Sequence, residues 1–376
     1  MLRNYFKVAC RNLLRHRAYS FINVAGLGVG IACCLLLCLY VQDELSFESF
    51  HRKADRIYRV TSEHHQNGEV DRIAVTPPPL AAALVQDYPE IRQAVRFNRA
   101  GQRNLFVHGE KKLYESDGYY ADPNVFDVFT FPLLTGDPKT ALRDPSSIVI
   151  SRELAERYFG RADALGKILR VELDSTYQFK VTGVLADLPH NTQVRPNFLV
   201  SFELLRGDAT NWWAYGYYTY VETRPNASGA DLDRKMAGFI RRHLAADELG
   251  NDPPPVAHLQ PLLNIHLDRS YGGENGSIND VAYLYLFSVL AFFIIAIACI
   301  NFMNLATARA QDRAREVGVR KVVGAARFQL VWQFLGESLL LSVLALGLSV
   351  LLVELFMPAF NALAGKHLSV NYTGNW

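Results

Sequence analysis

Residues 21–41 read FINVAGLGVGIACCLLLCLYV. They hold no charged side chain. Their length is about the 20 residues that a helix needs to cross a hydrocarbon core of roughly 30 Å. Two more runs of this kind lie far downstream, at 281–305 (containing YLYLFSVLAFFIIAIACINFMNL) and at 334–356. One such run alone fits a buried helix of a soluble protein; three at this length argue for membrane spans. The first run has a basic lead-in, as a secretory signal peptide does. VQDELSFESF follows it without a small-x-small cleavage pattern, so an uncleaved anchor is the better reading.

Lysine and arginine orient the spans. Arg3, Lys7, Arg11, Arg15 and Arg17 precede the first run. Arg309, Arg313, Arg315, Arg320, Lys321 and Arg327 lie between the second and third, against only Asp312 and Glu316. Both basic segments are expected in the cytoplasm, which places 42–280 and the tail 357–376 outside. The expected architecture is an α-helical transmembrane protein of three spans, with a large mixed α/β domain between the first and the second. Residues 1–20 read either as an amphipathic helix lying in the inner headgroup layer or as an ordinary positive flank. Residues 306–333 form the inner connection.

The whole chain of 376 residues carries a net charge of only +2, so no bulk field points to a nucleic-acid partner. Its five cysteines (Cys10, Cys33, Cys34, Cys38, Cys299) leave 41–280 empty, against a disulfide framework or a cysteine metal site there. In the first run, Gly26 and Gly30 are four apart and permit close helix packing. GLGVG is also part of a nucleotide-binding glycine pattern, but no strand precedes it. Glu337 and Glu354 fall near the two ends of the third run. Such groups face protein or reach the interface; a proton relay is the less favoured reading.

Region 42–280 alternates strand and helix signals and is large enough for two lobes. DRIYRVTSE (55–63) reads as a strand, and PPPLAAALVQDYPE (77–90) as a helix with proline at its start. SSIVISRELAERYFG (146–160) reads as a strand, an N-cap at Ser151 and a helix closed by Gly160. KILRVELDSTYQFKVTGVLADLP (167–189) reads as two strands about a turn, and 231–250 as one amphipathic helix ending at Gly250. NWWAYGYYTY (211–220) fits strand residues in a core better than a partner surface. His64, His65, His258 and His266 form no i, i+4 ligand pair. Neither HExxH nor GxSxG occurs, so catalysis and metal binding are not expected. Asn226, Asn275 and Asn371 begin N-x-S/T triplets, which matter only in a eukaryotic secretory pathway.

Residues 315–325, REVGVRKVVGA, stand out on the inner connection. On a helix Glu316 and Arg320 are an i, i+4 pair, and Val319, Val322 and Val323 make a small apolar face. Gly318 and Gly324 permit close approach or a turn. A short helix of this kind suits a groove on a partner protein; the alternative is a solvated positive loop.

AREVGVRKVVGAARFQLVWQFLGESLLLS resembles the coupling segment and following span of FtsX-like and MacB-like ABC transporter permeases. RNLLRHRAYSFINVAGLGVGIA resembles the entry to their first span. SSIVISRELAERYFG, VTGVLADLPHNT and PLLNIHLDR resemble pieces of the MacB-like periplasmic core domain. The resemblance implies a bacterial inner-membrane permease in which an ABC ATPase binds the cytoplasmic helix. Motion would pass through the spans to the periplasmic domain, and Arg315, Glu316, Gly318, Arg320, Lys321 and Gly324 would dock the ATPase. No G-x-x-x-x-G-K-[ST] occurs, so ATP and its hydrolysis are expected in the partner and no cofactor in this chain. The implied partners are that ATPase, a second permease half or a second copy, membrane lipids, and an adaptor with an outer-membrane channel. The implied work is efflux, lipoprotein release or control of a cell-wall hydrolase. The family's half-unit has four spans. With three before NYTGNW, the FtsX-like region 281–376 is expected to be incomplete, as in the amino-terminal half of a longer permease. A membrane-anchored sensor without transport is the competing class, and it would need an output module.

Overall fold

The computed structural model describes residues 11, 17–66, 68–160, 163–208, 210–244, 253–273, 276, 278–322 and 327–370. Backbone alone is described at 66, 206–208, 309–316, 320–321, 327, 329–330 and 333. The amphipathic reading of 1–20, Gly250, Gly324, Asn275 and Asn371 thus fall outside or almost wholly outside the description. Two compact units emerge: 1–45 with 281–376, and 46–280.

The first unit is helical. Its three long helices are Arg17–Leu45, Val281–Val322 and Arg327–Ala364. Each contains a stretch long and apolar enough to cross a membrane: Arg17–Leu45, Val281–Ala308 and Phe334–Ala364. The third continues through Pro358, which removes one ladder donor, and stops at Gly365, whose φ of 63° makes the left-handed turn that ends many helices. Small residues sit at the contacts. A Cβ placed on Gly30 would lie 2.5 Å from Ala298 Cβ, and one on Gly28 would lie 3.2 Å from the Ala345 carbonyl oxygen. The first helix thus meets the second at one glycine and the third at another.

The second unit is built on one mixed sheet of 13 strands. The strands are β1 (Ile57–Gln66), β2 (Glu69–Ile73), β3 (Ile91–Arg99), β4 (Asn104–His108), β5 (Lys111–Glu115), β6 (Gly118–Ala121) and β7 (Leu133–Gly136). The others are β8 (Ser147–Ser151), β9 (Ile168–Glu172), β10 (Thr176–Leu185), β11 (Phe198–Ser201), β12 (Tyr218–Thr223) and β13 (Val256–Pro261). Their order is β13-β1-β12-β3-β6-β11-β8-β10-β9-β4-β5, with β2 on β1 and β7 on β10. Where two lobes were conceivable, one continuous path of strands crosses the domain. β8–β10 and β6–β11 pair in parallel, the rest antiparallel. The central strands are apolar on both faces, as covered strands must be. Ile148 and Ile150 of β8 enter one core with Phe198 and Phe106, whereas Val149 enters another with Leu199 and Phe97. A third core gathers Val60, Leu84, Val221, Met236 and Phe239. Gly118 of β6 has no room for a side chain, because a Cβ there would overlap the Phe198 ring.

Local signals behave as their chemistry requires. Ser151 Oγ accepts from the Leu154 amide at 3.2 Å and starts the helix Arg152–Phe159, which Gly160 ends at φ 67°. Leu80–Asp87 is helical, and β9 and β10 pair antiparallel. Among the described residues of the single helix expected over 231–250 there are instead two short ones, Gly229–Lys235 and Phe239–His243. Gly238 between them adopts φ 75°, a left-handed conformation that stops the first and lets the second set off on a new axis. Tyr217, Tyr218 and Tyr220 of the aromatic segment are buried, while Trp213 is about half exposed.

Candidate coupling site

The inner connection is not a separate short helix. Residues 309–322 continue the second long helix without a break. The reason is composition: LATARAQDRAREVGVRKV is mostly alanine, arginine, glutamine, glutamate and lysine, all strong helix formers. The single glycine costs about 1 kcal/mol and does not interrupt a ladder already propagating. Arg315, Glu316, Gly318, Arg320 and Lys321 therefore all lie in the last turns of a 42-residue helix. Arg320 and Lys321 stand next to its carboxyl end, where cations oppose the helix dipole.

Gly318 is exposed, and a Cβ there would meet nothing within 4 Å. It leaves a dent on the helix surface and serves no internal contact. Val319 and Val322, three apart on one face, are 62% and 88% exposed. The third helix opens with Phe328 and Trp332, both well exposed, their rings edge to face at 5.7 Å. Reasoning confined to 315–325 missed this aromatic pair. The signal was present in RFQLVWQFL, with apolar residues at 328, 331, 332 and 335, the i, i+3, i+4, i+7 pattern of one helix face. The end of the second helix and the start of the third can therefore both offer apolar anchors, beside a basic stretch, the combination that suits an acidic-rimmed groove on a protein partner.

Elsewhere in the helical unit, Gly26 faces Asn301, with 3.3 Å between a Cβ there and Asn301 Nδ2. Gly30 seats Ala298, as described. Gly28 makes the equivalent contact on the third helix and was not singled out, because a four-residue spacing selects one face and Gly28 lies on another. Glu337 is buried, whereas Glu354 is exposed beside a groove lined by Gly347, Val350, Leu351 and Leu355. At the far ends of the first and third helices, Lys366 Nζ lies 2.9 Å from Asp43 Oδ2 and 2.6 Å from Glu44 Oε1. Burial alone pulls the Lys366 ammonium down, but its hydrogen bonds to Glu44 and Asp43 outweigh this and leave it above the ordinary lysine value. Among the described residues, no group of three or more histidine, cysteine, aspartate or glutamate side chains could hold a metal ion.

Residues 20–238, more than half of the chain, match the family of MacB-like periplasmic core domains, and residues 288–375 match the FtsX-like permease C-terminal domain. The chain belongs to the MacB-like, FtsX-like permeases. Its relatives are ABC transporter permeases. This permease is 21% identical over 369 residues to the uncharacterised ABC transporter permease YvrN of Bacillus subtilis, covering 90% of this chain and 83% of YvrN. It is 25% identical to the uncharacterised ABC transporter permease YknZ of the same organism, over 52% of this chain and 45% of YknZ. Against the macrolide export ATP-binding/permease protein MacB of Bdellovibrio bacteriovorus the identity is 24%, over 52% of this chain and 28% of that protein. The match thus spans less than half the length of two of these three relatives. Among solved structures, a crystallised domain assigned to a permease of Porphyromonas gingivalis superposes with a TM-score of 0.51 at 24% identity. It covers 63% of this chain and 98% of that one, a likeness of fold.

Proposed function

We propose that this chain is the membrane subunit of an ABC system that works by mechanotransmission. A separate ATPase subunit binds the hairpin around Val322 in the cytoplasm of a bacterial cell, and its closure on ATP moves the long helices. The domain 46–280 lies on the outer side and changes conformation in response. The ATP belongs to the partner, and this chain contributes no cofactor. A second permease half or a second copy completes the membrane part. The domain then acts in export or lipoprotein release, with an adaptor and outer-membrane channel as the partners expected for efflux.

The observation that carries this reading is the continuous helix Val281–Val322. Its 42 residues extend about 63 Å at 1.5 Å per residue, about twice the roughly 30 Å hydrocarbon core. It starts directly after the domain in sequence and ends among exposed valines and basic residues. A rigid rod of that length suits the transfer of a displacement better than a loop, which would absorb it.

The test is co-purification of the chain from membranes with the ATPase subunit encoded beside it. Replacing Arg320→Glu together with Lys321→Glu is expected to reduce ATPase recovery about tenfold or more, as charge reversal at a protein interface does. Membrane insertion and thermal stability stay unchanged. Full recovery of the ATPase with the doubly reversed chain overturns the docking role. A reporter fused after residue 200 tests orientation, and reporter activity on the cytoplasmic side overturns the topology.

A further inference from the structure

The segment that follows the first long helix is held by a buried carboxylate. Glu48 is 2% exposed, and its backbone adopts φ 61°, a conformation that glycine or asparagine takes far more readily. Its Oε1 accepts from the Gln193 amide at 2.5 Å and its Oε2 from Thr192 Oγ1 at 3.0 Å. The Glu48 amide donates to the Asn191 carbonyl oxygen at 2.9 Å. Asn191 Nδ2 returns two bonds, to Ser46 O at 2.9 Å and Ser46 Oγ at 2.8 Å. His51 Nε2 lies 2.9 Å from Glu48 Oε2, and His51 Nδ1 accepts from the Thr130 amide at 3.0 Å. The neighbouring Phe47 is also buried, stacked on the buried His266.

These bonds lead somewhere the covalent chain does not. Along the chain, residue 46 leads to β1, one strand in from the β13 end of the order. Through Glu48 it leads to the loop 191–193, which joins β10 to β11. Those two strands flank β8 in the interior of the sheet. Asn191 and Thr192 of this loop end the stretch VTGVLADLPHNT, a motif that the docking site leaves unused. A static tether would not need this carboxylate, because Phe47 already anchors the segment. An unfavourable backbone conformation persists only when surrounding structure holds it, and such sites gather at functional positions.

We propose that Glu48 is the positioning residue through which displacement of the outer end of the first helix is delivered to the middle of the sheet, by way of residues 191–193. This rests on the mechanotransmission reading above. Glu48 is a rigid link: three of its bonds must move together, so the loop follows the segment.

The experiment is hydrogen exchange on the full chain in lipid nanodiscs, first alone and then with the ATPase subunit that co-purifies with it, with and without ATP and vanadate. The informative variant is Glu48→Asn, which tolerates the left-handed backbone but cannot reach the loop. Thr192→Val cuts the link from the other side and serves if the first variant does not fold. Without nucleotide, the peptide covering 189–197 is expected to exchange about tenfold faster in either variant, as a lost local tie predicts, while the 218–223 peptide stays protected. With the ATPase, wild type shows an ATP-dependent change at 189–197. The variants lose it yet keep ATPase binding, ATP hydrolysis and the ATP-dependent change at 57–63. Unaltered exchange at 189–197 in nucleotide-free Glu48→Asn overturns the link, whatever the ATPase does. An ATP response at 189–197 that survives in both variants also overturns it. A wild-type chain that binds no ATPase, or shows no ATP response at all, overturns the mechanotransmission reading and this inference with it.

Discussion

The two units use the same apolar residue types in opposite ways. In the domain, Phe106 is completely buried between Phe198 and Tyr158; in the helical unit, Phe292 is 65% exposed. The largest fully buried side chains, among them Arg59, Tyr220, Phe97 and Phe179, all belong to the domain. In the helical unit Leu341 and Val353 are buried too, but the contacts of the first helix with the other two centre on small residues, Ala298, Ala345 and the glycines that face them. Water drives large apolar groups together, so a domain in water needs bulk at its centre. Lipid tails give no such drive, and helices there associate through close backbone approach, which needs the lack of bulk. A contiguous apolar surface is a liability in water but an ordinary boundary in lipid. The contrast in which large apolar side chains are exposed therefore fits water around one unit and lipid around the other.

The largest expected effect breaks the domain side of this contrast. Phe106→Ala removes a ring from a core with no exposure and should cost about 3–5 kcal/mol. Phe292→Ala removes the same atoms from a lipid-facing surface, where little packing is lost, and should change stability by less than about 1 kcal/mol. Chemical denaturation of the chain in detergent, followed by near-ultraviolet circular dichroism, separates the two. Equal losses would mean that Phe292 is packed against protein and that the second helix is not lipid-facing there.

The next effect breaks the helical side. Gly30→Val places a branched side chain where a single Cβ already lies 2.5 Å from Ala298. Overpacking of this kind costs about 1–3 kcal/mol. Crosslinking between cysteines placed on the first and second helices is expected to fall in Gly30→Val and to recover in part when Ala298→Gly is added. Recovery is the sharper result, because only a steric conflict between those two positions can be relieved that way. Undiminished crosslinking in Gly30→Val would remove the close approach.

Much of this organisation could be read from residue order, and what could not was non-local. Spans announce themselves because twenty apolar residues in a row have few other uses. The helix at 152–159 was legible because Ser151 and Gly160 cap it within reach of their own neighbours. The break at Gly238 was missed: glycine inside an amphipathic pattern is usually tolerated, and only packing of Met236 and Phe239 decides otherwise. The strand order was not legible, since β1 pairs with β12 and β13, some 160 and 200 residues away. Glu48 was invisible for the same reason. Its partners sit about 145 residues downstream, and a lone glutamate after a span looks like any headgroup-level charge. The proposed docking residues were chosen with the help of resemblance, but the aromatic pair Phe328 and Trp332 needed the exposure of each side chain.

The smallest effect is one of pH and belongs to the domain alone. His64 lies on β1, its ring edge against Tyr215, and faces Asp71 across the β1–β2 pair. Burial holds its imidazole below the usual histidine value, and the Asp71 carboxylate, which raises it, does not offset this. A depressed folded value means that the unfolded chain binds the proton more readily. His64 therefore contributes its full stability above pH of about 6.5 and loses it as pH falls from there toward the depressed value. Glu63 next to it, held low first by its hydrogen bond from Arg72, adds a second loss only at lower pH, below the ordinary glutamate range. Comparing melting temperatures at pH 7.5 and 5.5 should thus show a small drop in wild type. His64→Gln, which cannot charge, should show less of a drop, while the melting of the helical unit should be indifferent to the substitution. A drop of the same size in His64→Gln would place the titrating group elsewhere in the sheet.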